Sequence, residues 1–396
     1  MQMRPCWAEI DTQALKENYR YLAAMAAHEA ELLAVVKANA YGHSLALCAP
    51  AVEQAGARWL GVTTVEEGIA ARALCPKARV LVISGIFPGQ AAAAIQFQLT
   101  PSIWESWQLE ELEAAAREAK TPAGSLPVHL EIDTGMSRQG VGLDDLGRVF
   151  PHFGPDSPLR LEGVMTHLFA ADEADGRVTE EQMKRVDETL GKISAAGLFA
   201  EWLNVGASAA LLAGQAKVLA ETAARHGMKA MMRPGLALYG IVPRFDPAYG
   251  AGQEPATLTA ARAALKPVLA WKSAIVGLRS IPAGASVGYN GTFVASEPMR
   301  VALVAVGYAD GLDRKLGNHF GLLVRGRRAP LIGRVSMDQV VIDITEIAEA
   351  AVGDEVVLIG SQGAETITAF DHADLTGTIP WEVFTRLGGR VARRAV

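Results

Sequence analysis

The chain has 396 residues, half of them hydrophobic and a fifth charged, and a formal net charge of −6. That length allows two domains with a sizeable core, and the composition is that of an ordinary soluble globular protein. The acidic balance argues against nucleic acid or an anionic membrane as main partner, and no apolar run reaches the roughly 18 residues of a membrane span.

In chain order, Trp7–Asp11 predicts a short strand, followed by a helix capped by Asp11 or Thr12 and running through Leu15, Tyr19 and Leu22. The N-terminus has no apolar signal region. Leu32–Val36 is a continuous apolar run, expected as a strand buried on both faces. It ends on Lys37, where strand gives way to loop. Burial disfavours an ammonium, so an amine placed there can be partly neutral and able to condense with a carbonyl. The same pattern also fits a lysine reaching out to pair with a carboxylate.

Leu45–Ala55 then predicts a helix, and the rhythm repeats. Further strands are expected at Trp59–Thr63, Arg79–Ser84, Leu99–Ile103, Val128–Asp133, Leu161–His167 and Trp202–Val205. An eighth is expected at Ala237–Ile241 or just before it. Helices such as Leu109–Ala119 and Thr179–Ala196 lie between. Eight strands alternating with helices imply a parallel (β/α)8 barrel of the TIM type, with an open doubly wound sheet as the competing arrangement. Lys37, Asp133 to Arg138, His167, Gly206 to Ser208 and Arg233 to Gly235 all follow strand ends, the catalytic rim of such a barrel.

The pattern changes near Pro243. Residues 244–255 are rich in Gly and Pro and predict a linker. Alternating strands follow at Val268–Val276, Met299–Val306, Gly321–Val324, Val340–Ile344 and Glu355–Ile359, so residues 241–396 are expected as a mostly β domain after a barrel domain over 1–240. The first ten or so residues are candidates to pair with the β domain. Cys6, Cys48 and Cys75 have no metal-ligand spacing and no even count for bridging, so no metal is expected and a reduced, cytoplasmic protein is.

Six motifs carry a resemblance: Val35–His43 (VVKANAYGH), Ile132–Arg138 (IDTGMSR), Met232–Gly240 (MRPGLALYG), Val287–Phe293 (VGYNGTF), Val306–Gly311 (VGYADG) and Ile332–Gln339 (IGRVSMDQ). In this order and at these spacings they resemble alanine racemase, over almost the whole chain. The resemblance implies a pyridoxal phosphate enzyme with a barrel, a β domain and a homodimeric active site. It implies that Lys37 holds the cofactor and acts as one acid/base group, and that Tyr289 is the other, presented by the opposite subunit. It further implies that Arg233 bonds the pyridine nitrogen, that His167 lies near the ring, and that Ser208, Tyr41 and the Gly235–Leu236 backbone hold the phosphate. Arg138 and Met337 fall at substrate-binding positions, with Tyr308 at the entrance and Asp338 beside Met337.

Chemistry agrees at two points. Racemisation needs a base on each face of a planar carbanion. An arginine has no acceptor and stays charged, so it disfavours a protonated ring nitrogen and suits simple proton return over transamination, and fits a decarboxylase of the same architecture poorly. Three positions depart from the family pattern. Glu131 stands where a carbamylated lysine is common, and is expected to anchor Arg138 directly. Ala207 removes one side-chain hydrogen bond from the phosphate side. Trp381 replaces a phosphate-contacting tyrosine, and an indole donates but cannot accept. The expected function is interconversion of L- and D-alanine, supplying D-alanine for peptidoglycan. The alternatives are a broader or serine-directed racemase and a non-catalytic pyridoxal phosphate carrier.

Overall fold

The run Leu32–Val36 is buried throughout, and in the computed structural model it forms the first strand of a closed barrel. Residues 4–26, 29–245 and 255–396 are described. With β1 assigned to Cys6–Ile10, the barrel strands are β2 (Ala30–Val35), β3 (Trp59–Val62), β4 (Arg79–Val82), β5 (Thr100–Ile103), β6 (Leu126–Glu131), β7 (Leu159–Met165), β8 (Trp202–Ala207) and β9 (Lys229–Arg233). All neighbours are parallel, and β9 closes on β2 with Ala30 opposite Ala230. Leu33, Leu60 and Leu81 are fully buried. Each such side chain contributes about 1.5–3 kcal/mol of burial; apolar faces alone fit an open doubly wound sheet as well, and closure of β9 onto β2 decides for the barrel.

The eighth barrel strand is Lys229–Arg233. Leu236–Tyr239 forms a 3-10 turn, closed by Gly240 with φ of 76°. Pro234 ends the strand because it has no N–H for the ladder, while its carbonyl still accepts from Val35 N at 3.1 Å. Helices Thr12–Ala26, Leu45–Gln54, Ser106–Glu118 and Arg177–Ala195 fall where the apolar spacing predicted them.

The chain forms two compact units. One comprises Gln13–Ala40 and Cys48–Lys266, and holds the barrel. The other collects the N-terminal residues to Thr12, Tyr41–Leu47 and Pro267–Val396. The second is organised by β10 (Leu269–Ile281), the long strand that pairs antiparallel with β1, Cys6 opposite Ser273. Its nine-stranded sheet also contains β13 (Met299–Val304), β14 (Gly321–Val324), β16 (Val340–Asp343) and β17 (Glu355–Gln362). Three strands in it escaped the sequence pattern: β15 (Arg327–Ile332), β18 (Glu365–Ile367) and β19 (Ala392–Ala395). The arginines of β15 and β19 and the proline in β15 mask their alternation. A separate hairpin joins β11 (Ser286–Val287) to β12 (Phe293–Val294). Residues 246–254, most of the expected linker, lie outside the described residues.

Candidate active site

Strand β2 delivers Lys37 to the C-terminal rim of the barrel. The chain then makes a left-handed turn: Ala38, Asn39 and Ala40 have φ of 53°, 53° and 56°, Tyr41 continues it at 53° and Gly42 follows at 79°. Such a conformation costs roughly 1–2 kcal/mol per non-glycine residue and persists only where the surroundings over-determine it. Glu67 supplies part of that support. Its carboxylate accepts from Ala38 N at 2.7 Å and Thr63 N at 2.8 Å, while Ala40 N donates to Val36 O at 2.8 Å. Tyr239 Oη donates to Val35 O at 3.0 Å and pins the strand end. Burial lowers the Lys37 amine below the ordinary lysine range, and the charges of Arg138 and Arg233 lower it further.

Arg233 ends β9 and is only 6% exposed. Its Nη1 donates to Asn204 O at 2.7 Å and to Asn204 Oδ1 at 2.6 Å, and its Nη2 to Thr166 O at 2.8 Å. Those bonds use three of the five N–H directions of a guanidinium. Burial draws its pKa down to about 10, so it stays charged at neutral pH. His167 follows β7, and its carbonyl accepts from Gln182 Nε2 at 2.9 Å. Burial, then Arg233, Arg138 and Lys37, push the imidazole down to about 3; it is neutral at any physiological pH.

Ser208 begins a five-residue helix after β8. Its Oγ accepts from Gly235 N at 3.0 Å and Ala237 N at 3.2 Å. Both acceptor positions of the hydroxyl are thereby used and its proton remains to be donated. Ser208 and the Gly235–Leu236 backbone thus converge. Among the described residues neither the Ser208 O–H nor the Leu236 N–H has a partner, which suits an anionic oxygen.

Arg138 ends a turn folded around Asp133, whose carboxylate accepts from Gly135 N at 2.8 Å and Ser137 N at 3.1 Å. The side chain is exposed. The expected Glu131–Arg138 anchor is absent among the described residues. Glu131, 4% exposed, instead accepts from Gln139 Nε2 at 2.5 Å and Ser102 Oγ at 3.2 Å. The carboxylate ends β6 pointing toward β5, which places Ser102 against it, and Gln139 reaches back over it. Burial raises Glu131 above the usual carboxylate range.

The β unit carries the remaining positions. Tyr289 stands on the β11–β12 turn between Gly288 (φ 73°) and Asn290 (φ 63°), and is 67% exposed. Tyr308 and Met337 lie on two turns laced together: Tyr308 N donates to Ser336 O at 3.0 Å, and Ala309 N to Met337 O at 3.1 Å. Gly307 is required there, because a Cβ would sit 2.3 Å from Met337 O. Tyr41 is buried, which pushes its phenol up to about 12.

Asp310, fully buried, locks these turns. It accepts from Arg4 Nη1 at 2.6 Å, Arg390 Nε at 2.7 Å and Gly307 N at 2.8 Å. Arg390 also bonds Asp338 Oδ1 at 2.7 Å, and Arg4 the Asp338 carbonyl. Asp310→Asn is expected to cost about 1–3 kcal/mol of stability, less than a fully buried pair because both arginines are partly hydrated. Urea unfolding at unchanged m-value measures it; a loss under about 0.5 kcal/mol would show that the arginines do not depend on the charge.

Glu67, Thr166, Asn204 and Gln139 were not singled out in the sequence. Only Glu67 left a signal, as the last residue of a Thr64-x-x-Glu67 capping pattern.

Residues 10–243 match the family model described as "Alanine racemase, N-terminal domain", and residues 268–395 match "Alanine racemase, C-terminal domain". The alanine racemase of Symbiobacterium thermophilum is 36% identical over 391 residues, 99% of this chain and 97% of that protein. The crystal structure of alanine racemase from Bacillus anthracis with bound L-Ala-P superposes with a TM-score of 0.87 at 28% identity, covering 100% of this chain and 96% of that one. Alanine racemase from Bartonella henselae with covalently bound pyridoxal phosphate superposes with a TM-score of 0.81 at 27% identity, covering 99% of each chain.

Proposed function

The chain belongs to the alanine racemase family of isomerases, and from that premise we propose that it interconverts L- and D-alanine with Lys37 and Tyr289 as its two bases. The observation that carries this reading is Lys37, an amine depressed by burial on the same barrel rim as a charged arginine locked by Asn204 and Thr166.

The residues fit pyridoxal phosphate. Lys37 can bind its aldehyde, the free Ser208 O–H and Leu236 N–H can donate to its phosphate, a role the resemblance also gives Tyr41, and Arg233 can donate to its ring nitrogen while neutral His167 adds no charge. When bound, the cofactor supplies the electron-withdrawing system that acidifies the substrate Cα–H. Arg138, without a hydrogen bond or ion pair among the described residues, receives the substrate carboxylate through charge-assisted bonds. Lys37 Nζ removes or returns the proton on one face and Tyr289 Oη on the other. An exposed tyrosine on a hairpin tip supports a site completed by a second copy of the chain, with Tyr308, Met337 and Asp338 arriving on the same unit. The expected setting is the cytoplasm, with D-alanine supplied for peptidoglycan. No helix among the described residues is long and apolar enough to cross a membrane.

The test is turnover of L-alanine by the purified protein with pyridoxal phosphate, read with D-amino-acid oxidase, beside the other L-amino acids. Faster turnover of serine than of alanine would replace the substrate assignment.

Glu131→Gln offers a second check. Because the folded-state pKa of Glu131 is raised by burial, stability is lost as pH climbs from the ordinary carboxylate value through the raised one. A glutamine keeps the Ser102 and Gln139 bonds through its carbonyl oxygen and removes that loss. The melting temperature at neutral pH is expected to rise, with kcat/KM for alanine within about twofold. A tenfold loss would restore Glu131 as the anchor of Arg138.

A further inference from the structure

Inside the barrel, between Arg233 and the N-terminal ends of the strands, stands a file of buried polar side chains that the reaction as described does not use. Asn204 Oδ1 faces Arg233 Nη1 at 2.6 Å. Asn204 Nδ2 faces His129 Nδ1 at 3.5 Å. His129 Nε2 faces Glu162 Oε2 at 3.8 Å, a charge–dipole contact too long for a hydrogen bond. Glu162 in turn accepts from Arg79 at 2.9 and 2.5 Å and from Arg160 at 2.8 Å. Asn204, His129 and Glu162 are all fully buried.

The chemistry of the two ends dictates the middle. A guanidinium only donates, so the Asn204 carbonyl must face Arg233 and its NH2 must face His129. His129 Nδ1 must then be bare, leaving the ring proton on Nε2. From the other end, a carboxylate held by two arginines only accepts, and it too calls for the proton on Nε2. Both ends select one tautomer. Burial keeps the His129 imidazole neutral; it would by itself raise Glu162, but the contacts of His129 and Arg79 outweigh it and hold the carboxyl at about 2. Space is made for the ring by Gly163, where a Cβ would lie 2.6 Å from His129 Cε1. Trp59 flanks it, ring centroids 5.8 Å apart, with Arg79 stacked on the outer side at 4.1 Å.

We propose that Asn204 and His129 are positioning residues for Arg233: the neutral Nε2–H tautomer of His129 holds the Asn204 amide in the one orientation that locks the guanidinium toward the cofactor ring. This rests on Arg233 facing that ring. A flipped amide would set NH2 against Nη1, donor against donor, and release one side of the guanidinium.

Histidine-selective 15N NMR of the apo-protein reads the tautomer without cofactor or substrate, with His129→Gln assigning the signal. In the native chain Nδ1 is expected unprotonated and Nε2 protonated. In Asn204→Asp, acceptors face both ring nitrogens, so Nδ1 is expected to take up a proton while Nε2 keeps its own toward Glu162. A native Nδ1–H, or an Nδ1 still bare in Asn204→Asp, would overturn the file. In the holoenzyme, Asn204→Leu is expected to lower kcat about tenfold while KM for alanine changes less than about twofold, since Arg138 is untouched. A kcat within about twofold of native would overturn the positioning role. If Arg233→Leu also leaves kcat unchanged, the fault lies with Arg233 as the ring's partner, and the proposal falls with it.

Discussion

Lys37→Ala is expected to remove at least about a thousandfold of the racemase activity, because a positioned acid/base group alone is worth roughly 10²–10⁴ and this one also carries the cofactor. The variant should fold, since the lysine is not among the residues that hold the strand end; Tyr239, Glu67 and Gly61 do that. Borohydride reduction of the native holoenzyme followed by peptide mass spectrometry should place the pyridoxyl group on Lys37, and Lys37→Ala should take none. A label on any other lysine would sink the assignment. The lowered amine pKa adds a pH signature. The neutral amine is the reactive form, so capture of pyridoxal phosphate by the apo-protein should accelerate as pH rises through the lowered value. It should level off below the pH at which an ordinary lysine would still be gaining. A capture rate still climbing through the ordinary lysine range would mean that Lys37 is not desolvated.

The second large effect is a rescue. Lys37→Ala and Tyr289→Phe should each be nearly inactive alone, yet a mixture allowed to exchange subunits should regain activity. With random pairing about half the dimers are mixed, and each mixed dimer carries one site with both bases, so recovery should approach about a quarter of the native rate. The expectation follows from Tyr289, 67% exposed on a hairpin of the β unit, while Lys37 belongs to the barrel unit. Tyrosine contributes its hydroxyl proton alone, so phenylalanine deletes the base with little change of shape. Mixed dimers demonstrated by mass, with no recovered turnover, would place both bases in one subunit.

What the amino-acid sequence determined by itself was set by local periodicity and motif. Continuous apolar runs such as Leu32–Val36, short and β-branched, read as strands buried on both faces, and their alternation with helices implied the barrel. Lys37 and His167 were legible as residues just after strand ends, and Arg233 closes β9 itself. Tertiary structure decided everything that depends on which strand lies beside which. Lys229–Arg233 has three apolar residues between charged ends and Ala237–Ile241 is the more apolar run, yet closure of β9 onto β2 selected the first. Glu131 and Arg138, seven residues apart, were expected to pair, but the neighbouring strand brought Ser102 to the carboxylate and the chain brought Gln139 over it. The left-handed turn after Lys37 passes through four non-glycine residues before it reaches Gly42, and part of its support comes from Glu67, 29 residues away from Ala38. The file from Glu162 to Arg233 likewise draws one residue from each of β6, β7, β8 and β9. Strand closure turns alternate residues inward and stacks them, and no spacing along a single strand encodes which of them will meet.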